Sequence, residues 1–297
     1  MQGKLLLLFL VIALSFILVC RSCTFPLAAG SLKPGLIATM AIKNQTLSRP
    51  QGNYPLAAVI VEPREENLVN IVQHFLRALP ETTHFQIYHG TKNREVLNEF
   101  QPLIESGKIS LWNLGVENLN SQSYSALLTS EEFWHSVQAE KVLIFQTDAI
   151  PCSQSTVDLQ QFASFDYVGA PLQKHIRVLL GLCFGAKGHL IGHSQYYNGG
   201  LSWRSKSKML DVIKHYPWDQ LTPEDIWFCA FLPKVGGRMP NLGEARQFSF
   251  EAEKLTTVPW GLHKPRKQYD QLCKVCPEVR QIPYIPSHTD YRNLFLV

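Results

Sequence analysis

The sequence predicts an α/β fold with a doubly wound, mostly parallel sheet. Runs of consecutive apolar residues, typical of strands buried on both faces, alternate with segments whose apolar residues recur at the period of a helix. This alternation favours a parallel sheet, because each strand is then followed by a helix that returns the chain to the same edge. The chain has no internal repeat and no low-complexity tract, so we expect one domain after the N-terminal segments.

The predicted elements begin at residue 55. The first strand, PLAAVIVEP, is apolar through its centre, and the segment after it, ENLVNIVQHFLRAL, has apolar residues at helical spacing. The following elements are a strand at 84–90, a helix at 94–106, a strand at 108–114, a helix at 125–138 and a strand, KVLIFQTDA, at 141–149. The second half is less regular, as expected of a substrate-binding portion on the same sheet.

Residues 1–23 are predicted to be a signal-anchor segment. The run from Leu5 to Cys20 contains 16 uncharged residues after a head that carries Lys4. A signal-peptide core has about 7–15 apolar residues and an ordinary bilayer needs about 20. A cleaved signal and an anchor in a thin early-secretory membrane therefore both remain open. No small-x-small cleavage site follows directly, which favours the anchor.

Residues 24–53 are predicted to form a stem and residues 54–297 a luminal domain. The stem contains scattered Pro, Gly, Ser and Asn and few periodic apolar positions. It carries the sequon NQT at Asn44, which supports exposure to the lumen of the secretory pathway. The net charge of +4 comes without a stretch dense in Lys and Arg, so nucleic acid is not an expected partner.

The chain has seven cysteines, and their spacing does not determine which of them pair. CKVC at 273–276 has the spacing of zinc ligands, and HLIGH at 189–193 could supply the other two. Glycine beside both histidines indicates a loop, so a structural zinc site is the less favoured interpretation. Disulfides or buried thiols are the alternative, since pairing is expected in an oxidising lumen.

Two sequence motifs of other enzyme classes are absent and a third is incomplete. No G-x-G-x-x-G follows the first strand, which disfavours a dinucleotide-dependent redox enzyme, and no Walker A loop is present. LIGHSQY matches the nucleophile elbow of α/β-hydrolases at Gly192 and Ser194, but Tyr196 stands where the second glycine belongs. A serine hydrolase that uses Ser194 is therefore a secondary alternative.

Six short blocks follow in one order through the rest of the chain. They are FQTDAIPC, FDYVGAPL, NGGLSWRSK, PEDIWFC, FSFE and PWGLHKP. Together they resemble an uncharacterised glycosyltransferase-like domain family with a GT-A type nucleotide-sugar fold, over Leu56 to Pro265. The resemblance implies transfer of a sugar, of the hexosyltransferase type, from a nucleotide-sugar such as a UDP-sugar to a glycan, protein or lipid acceptor. It also implies a single-pass type II protein of the endoplasmic reticulum or Golgi membrane.

The resemblance implies a divalent metal, manganese, at the donor diphosphate. Enzymes of this type hold the metal with Asp-x-Asp at a strand end, where this chain has Gln146 before Thr147 and Asp148. Asp148 and His263 are the expected ligands, since manganese accepts oxygen and nitrogen donors. Gln146 is expected to hydrogen-bond a ribose hydroxyl, and Lys264 to offer positive charge to phosphate. With one carboxylate fewer than the family pattern, the expected affinity for the metal is weaker.

The NGGLSWR block is expected to approach the donor. Gly199 and Gly200 allow a backbone to come close to a ligand, with Asn198 beside them. Arg204 is expected to contribute a charge to the same donor site. A tight turn between strands is the competing interpretation of Asn198 and Gly199.

The PEDIWF block is expected to supply the catalytic base. Asp225 is expected to remove the proton from the hydroxyl that receives the sugar, with Glu224 as the alternate base. The helix N-terminus predicted here would keep Asp225 ionised and make it a weak base. A capping role alone would also explain both acids. The main alternative to an enzyme is a non-catalytic protein of the same fold that binds nucleotide-sugars or glycans, and the incomplete Asp-x-Asp is its support.

Overall fold

The computed structural model describes residues 43–44, 54–174, 176–178, 195–251, 255–265 and 268–282. The predicted anchor and the HLIGH and Ser194 segment lie outside these residues. None of the helices within the described ranges is long and apolar enough to cross a membrane.

Ten strands lie within the described ranges and form two sheets. The strands are β1 (Lys43–Asn44), β2 (Ala57–Glu62), β3 (His84–His89), β4 (Ile109–Asn113), β5 (Lys141–Phe145), β6 (Ala149–Pro151), β7 (Tyr167–Pro171), β8 (Tyr197–Ser205), β9 (Ser249–Phe250) and β10 (Gly261–His263). The main sheet has the order β1-β4-β3-β2-β5-β8-β7, and the small sheet has the order β6-β10-β9.

Helices connect and cover these strands. The α-helices are α1 (Leu68–Ala78), α2 (Gln101–Glu105), α3 (Ser121–Leu128), α4 (Glu131–Ser136), α5 (Lys206–His215), α6 (Glu224–Phe231), α7 (Leu242–Phe248) and α8 (Tyr269–Val275). Turns of 3₁₀-helix occur at Glu95–Phe100, Leu159–Phe162, Leu232–Val235 and Pro277–Gln281.

The main sheet is mixed, with its parallel part where the sequence predicts it. Strands β4, β3, β2 and β5 pair in parallel. The expectation of a mostly parallel sheet is confirmed, although β1 pairs antiparallel with β4 and β8 pairs antiparallel with both β5 and β7. Strands β7 and β8 are neighbours both along the chain and in space, and such a pair needs no crossover helix. Five of the seven strands still run in one direction.

The order of the parallel strands creates a crevice beyond their carboxyl ends. From β2 the chain adds β3 and β4 on one side and then places β5 on the other side of β2. Ligands of open α/β sheets bind where the strand order reverses in this way. The segment after β5 is Gln146-Thr147-Asp148, so the sheet delivers this triplet to the crevice.

Helix α1 shows how the sequence builds the core that supports this edge. Its buried residues, Leu68, Ile71, Val72 and Phe75, have the three-to-four spacing of one helical face. Phe75 stacks on Phe145 of β5 with ring centroids 3.9 Å apart. The burial of these side chains fixes α1 against the strand that carries the crevice residues.

The predicted helix at 125–138 is two helices rather than one. Helix α3 ends at Leu128 and α4 begins at Glu131, and the side chain of Ser130 accepts a hydrogen bond from the Phe133 backbone N–H. Serine is a preferred N-cap residue because its hydroxyl satisfies a free amide of the first turn. The apolar period therefore predicted helical structure correctly but not the break.

The small sheet and a disulfide tie the C-terminal segment to the main sheet. Strand β10 pairs antiparallel with β6, which places His263 opposite Ala149. Cys152, just after β6, is bonded to Cys276. This pairing rules out Cys276 as a zinc ligand, so CKVC is not half of a zinc site.

The segment predicted as a stem contains a strand. Lys43 and Asn44 pair antiparallel with Asn113 and Trp112 at the edge of the main sheet. The backbone of the sequon residue Asn44 therefore lies in an edge strand.

Candidate functional site

The loop between β5 and β6 forms the floor of the site. The backbone N–H of Gln146 donates to the Gly200 carbonyl at 2.9 Å, and the Ala149 N–H donates to the Gln146 carbonyl at 3.0 Å. These bonds close a tight turn that holds Asp148 at the crevice. Its side chain is 20% exposed, so a ligand can reach it.

His263 is brought to Asp148 across 115 positions of sequence by the pairing of β6 with β10. Its Nε2 lies 3.3 Å from Asp148 Oδ1 and 3.2 Å from Gln146 Oε1. The imidazole is almost fully buried, and its Nδ1 lies 4.0 Å from Glu251 Oε2. The structure therefore brings together three of the side chains that the sequence predicted for one site.

Lys264 places an ammonium group beside Asp148. Its backbone has a left-handed φ of 43°, uncommon for lysine, and its N–H donates to the Asp148 carbonyl at 3.0 Å. Its Nζ lies 3.7 Å from Asp148 Oδ2. Burial raises the pKa of Asp148, but the nearby His263 and Lys264 lower it by more, so the net pKa lies well below its usual value and the carboxylate stays ionised.

The donor atoms fit a divalent cation, although the chain alone does not complete its shell. Asp148 Oδ1 is buried and lacks a hydrogen-bond partner. The separations of 3.2 and 3.3 Å around His263 Nε2 are near the roughly 3 Å expected between neighbouring ligands of an octahedral ion with bonds of about 2.1 Å. No group of three His, Cys, Asp or Glu side chains suited to a metal occurs within the described ranges. Ligand oxygens and water would have to supply the rest.

Strand β8 is irregular where it enters the site. Its register against β7 slips between Gly169, paired with Ser202, and Pro171, paired with Tyr197. Three more residues therefore stand on β8 than on β7 across this stretch, which contains Asn198, Gly199 and Gly200. Bulges of this kind redirect a strand and are frequent beside active sites.

Both glycines are required by close approach of functional side chains. A Cβ on Gly200 would lie 2.1 Å from His263 Nε2 and 2.6 Å from Gln146 Oε1. A Cβ on Gly199 would lie 2.5 Å from Glu224 Oε1. The Asn198 side chain accepts a hydrogen bond from the Gly200 N–H at 2.7 Å, so it helps to shape the bulge.

Asp225 lies on the other side of the bulge, at the start of α6. Its Oδ2 accepts from the Gly199 N–H at 3.1 Å and its Oδ1 from the Ile226 N–H at 2.8 Å. The residue is partly exposed. Burial, and then the charge of Glu224, raise the pKa of Asp225 to about 7, against the lowering effect of the two N–H donors and Arg204. The prediction of a weak, fully ionised base is wrong, because burial outweighs the helix N-terminus.

Glu224 and Arg204 do not face a ligand. Arg204 is fully buried and forms a two-pronged ion pair with Glu224, with N–O distances of 2.6 and 2.9 Å. Glu224 is 4% exposed and its backbone N–H donates to Ser125 Oγ. Arg204, predicted to contact the sugar donor, and Glu224, predicted as the alternate base, instead neutralise each other in the core.

The sequence reasoning missed a second pair of charged groups at the crevice. Glu62 ends β2 and is 5% exposed, and it binds the Arg64 guanidinium through two contacts of 2.8 Å. Thr147 Oγ1 lies 3.4 Å from Glu62 Oε2, so this pair adjoins the Asp148 loop. This pair could have been found from the sequence, because VEPR lies at the end of the first strand. A parallel sheet brings that strand end to the same edge as the end of β5.

Glu251 and Tyr124 were also missed. Glu251 closes the FSFE block and lies beside the His263 ring. The hydroxyl of Tyr124 on α3 is buried near the site, and burial raises its pKa well above its usual value. The order of the six short sequence blocks gave no reason to select Glu251 or Tyr124.

The serine-hydrolase alternative lacks its supporting geometry after residue 194. A nucleophile elbow leads from a strand into a helix. The residues from Tyr197 onward form strand β8 instead, and Tyr196 is 2% exposed in the core. Ser194 itself lies outside the described residues.

Comparison with known families gives a match over residues 110–263 to a family described as "Protein of unknown function (DUF5672)". The chain belongs to this family. The matched range contains Asp148, His263 and Asp225, and it ends one residue before Lys264. The DUF5672 segment therefore contributes most of the site, and Glu62, Arg64 and Lys264 lie outside it. No protein with a curated description matches the chain.

Solved structures similar to this DUF5672 protein include three glycosyltransferases. They are a mannosyltransferase from Pyrobaculum calidifontis in complex with GDP-Man and Mn²⁺ (10% identity, 77% of this chain and 62% of that chain, TM-score 0.41), the apo form of the glycosyltransferase GlyE of Streptococcus pneumoniae TIGR4 (14%, 71% and 54%, 0.41) and the apo form of the bifunctional glycosyltransferase WbbM (9%, 73% and 47%, 0.45). The chain spans about half to three-fifths of their lengths. Similarity at this level does not determine the activity of this chain.

Proposed function

We propose that this chain is a glycosyltransferase that takes a sugar from a nucleotide-sugar donor, with a UDP-sugar as the donor class. The observation that carries the proposal is the convergence of Gln146, Asp148 and His263 within 3.3 Å at the edge of the sheet where the strand order reverses. An ionised carboxylate, an imidazole and an amide oxygen at that edge suit a diphosphate and its cation. The acceptor class, a glycan, protein or lipid, follows from the sequence resemblance alone.

Asp148 and His263 are the proposed protein ligands of a divalent cation, with manganese the proposed ion. Gln146 Oε1 is a third candidate ligand of the cation, a role that replaces its predicted contact to ribose. Such an ion would stabilise the negative charge that grows on the departing diphosphate. Lys264 stands where its ammonium can add to that stabilisation, while the Asp148 contact keeps it oriented.

Asp225 is the proposed general base. A carboxylate with a pKa of about 7 is well matched to accepting a proton near neutral pH. Its two backbone donors fix the carboxyl plane, and its partial exposure leaves room for a hydroxyl of the acceptor. A base of this kind belongs to an inverting transfer, because attack by the acceptor then releases its proton directly.

We further propose that the chain is a single-pass type II protein of the endoplasmic reticulum or Golgi membrane, with residues 54–297 in the lumen. The apolar run at Leu5–Cys20 and the Asn44 sequon motivate this. The Cys152–Cys276 disulfide supports it, because such bonds persist in oxidising compartments.

The proposal is tested with the purified full-length protein in detergent and a panel of nucleotide-sugars with Mn²⁺. A true donor should raise the melting temperature, since ligand at 100 times its Kd adds about 2.7 kcal/mol of stability. It should also be hydrolysed above background. Stabilisation without hydrolysis or transfer would support the non-catalytic alternative. No response to any nucleotide-sugar would contradict both.

A further inference from the structure

A fully buried ion pair lies directly behind the Gly199 segment of the site. The guanidinium of Arg204 donates to both carboxylate oxygens of Glu224 and, through Nε, to Ser202 Oγ at 2.9 Å. It also packs over the rings of Tyr167 and Phe228, at 4.7 and 5.7 Å from their centroids. Arg204 is thus surrounded by protein and does not reach a ligand.

Stability is a weak explanation for this pair. Removing two charges from water costs several kcal/mol per ion, and well-packed apolar side chains of similar volume are often as stable or more so. Two of the neighbouring side chains, Tyr167 and Phe228, are aromatic and would pack against apolar replacements. The presence of the pair therefore points to a task that apolar side chains would not perform.

The pair contacts the backbone of Gly199, one of the two residues whose N–H groups bind the Asp225 carboxylate. Arg204 Nη2 lies 3.4 Å from the Gly199 carbonyl, which also accepts from Ser202 Oγ at 2.8 Å. The N–H of the same residue donates to Asp225 Oδ2. Since a Cβ on Gly199 would overlap both Glu224 and Arg204, the pair packs against this backbone without a gap.

We propose that the Arg204–Glu224 ion pair is a positioning device for Asp225: it holds the backbone of Gly199, whose N–H binds the carboxylate, and Glu224 places a negative charge beside it. The role rests on the proposed function, in which Asp225 is the base. Arg204 and Glu224 are positioning residues here, in place of the donor-binding and alternate-base roles expected from sequence.

Several groups face Asp225 from the surrounding elements. Glu224 and Cys229 belong to α6, Arg204 to β8, Tyr167 to β7 and Tyr124 to α3. Burial raises the pKa of the Cys229 thiol and of both tyrosines, so these three stay neutral near pH 7. Glu224 and Arg204 are then the charged members of this set, with opposite effects on Asp225.

The test uses three variants of the full-length protein. They are Glu224→Gln, Arg204→Lys, and a double variant that carries both Arg204→Met and Glu224→Leu. The readouts are a ¹³C NMR titration of the Asp225 carboxyl and the separate kcat and KM for a donor. Glu224→Gln removes the neighbouring negative charge and keeps a side chain that Arg204 can bind, so the Asp225 midpoint should fall by about 1 pH unit. Arg204→Lys keeps the charge but loses the two-pronged guanidinium contact to Glu224, so kcat should fall about 10²-fold while the donor KM is unchanged.

The double variant separates an effect on the position of Asp225 from an effect on folding, because it removes both charges but nearly keeps the side-chain volume. It should melt at or above the wild-type temperature and still lose turnover. Wild-type kcat in the folded double variant together with an unmoved midpoint in Glu224→Gln would overturn the proposal. If the wild-type chain has no turnover, the proposed function fails, while the titration still tests the inference. Asp211→Asn, in the exposed Lys208–Asp211 pair, is the matched control and should move neither readout.

Discussion

At the residue scale, environment changes what a side chain can do. Asp148 and Asp225 are the same residue type and lie on either side of the β8 bulge, yet their pKa values shift in opposite directions. The neighbouring His263 and Lys264 lower the pKa of Asp148 by more than burial raises it, whereas burial and Glu224 dominate the pKa of Asp225. A pair of carboxylates with separated pKa values is the arrangement expected when one binds charge and the other transfers a proton.

Asp225→Asn should lower turnover about 10²–10⁴-fold and leave donor affinity near wild type. The amide has the same shape but keeps an oxygen for only one of the Gly199 and Ile226 N–H groups, and it cannot accept a proton, so a small loss of stability accompanies the loss of turnover. The measurement is kcat and KM beside a melting curve. A variant that is less stable yet fully active would show that Asp225 only caps the helix.

Wild-type turnover should rise as pH increases through about 7. The folded pKa of Asp225 is raised to about that value, so the carboxyl is protonated and inactive below it and ionised above it. The measurement is the pH dependence of kcat for a donor. An acid limb near pH 4 instead would indicate that Asp225 titrates like an exposed aspartate.

At the element scale, the β8 bulge determines how closely the two halves of the site approach. Gly199 faces Asp225 and Gly200 faces His263, so two consecutive glycines separate the proposed base from the proposed metal ligands. The block NGG was recognisable in the sequence, but its bulge was not, because the slip is defined only by pairing with β7.

Gly200→Ala should abolish nucleotide binding at a modest cost in stability, about 1–3 kcal/mol for overpacking. The added methyl would lie within 2.6 Å of both His263 Nε2 and Gln146 Oε1, and the buried His263 ring cannot withdraw without separating from Asp148. Gly243→Ala, whose new methyl would meet only Asn241 Oδ1 at 3.1 Å, is the control. Equal binding by both variants would place the donor elsewhere.

The parallel core and the Asp148–His263 pair could be predicted from sequence for different reasons. Strands β2 to β5 have apolar runs that local pattern identifies, and block order placed Asp148 and His263 in one site. The burial of Arg204 and the ion pair with Glu224 could not be predicted, because a charged residue near a glycine pair looks like a ligand contact until its long-range partner is known. The antiparallel β7 and β8 and the break at Ser130 likewise depend on tertiary pairing and capping.

At the scale of the whole molecule, one disulfide closes a loop that contains most of the site. Cys152 and Cys276 are separated by 124 residues, and a closed loop of about 100 residues is worth about 4.7 kcal/mol in the chain-entropy description. Replacing both cysteines by alanine should lower the free energy of unfolding by about 2–5 kcal/mol. Denaturant unfolding measures this, and Cys273→Ala, a free and partly exposed thiol, is the control. Equal stability of both variants would mean that the bond contributes nothing.

The predicted topology is tested by expression of the chain with microsomes. We expect a protease-protected domain whose mobility shifts on glycosidase treatment, because residues after Leu5–Cys20 would lie in the lumen and Asn44 would be glycosylated. Asn44→Gln should remove the shift and keep the protection. A protease-sensitive, unglycosylated domain would contradict the proposed location.

The most direct test of the account is calorimetric titration of UDP into the protein with Mn²⁺, with excess chelator, and in the Asp148→Ala variant. If Asp148 and His263 hold a cation at the donor diphosphate, chelator and the substitution should each weaken binding by at least about 100-fold, since even groups that only orient metal ligands are worth 10–100-fold. Asp211→Ala, an exposed aspartate on α5, should bind like wild type. UDP binding that is unchanged by both chelator and Asp148→Ala would contradict the central claim.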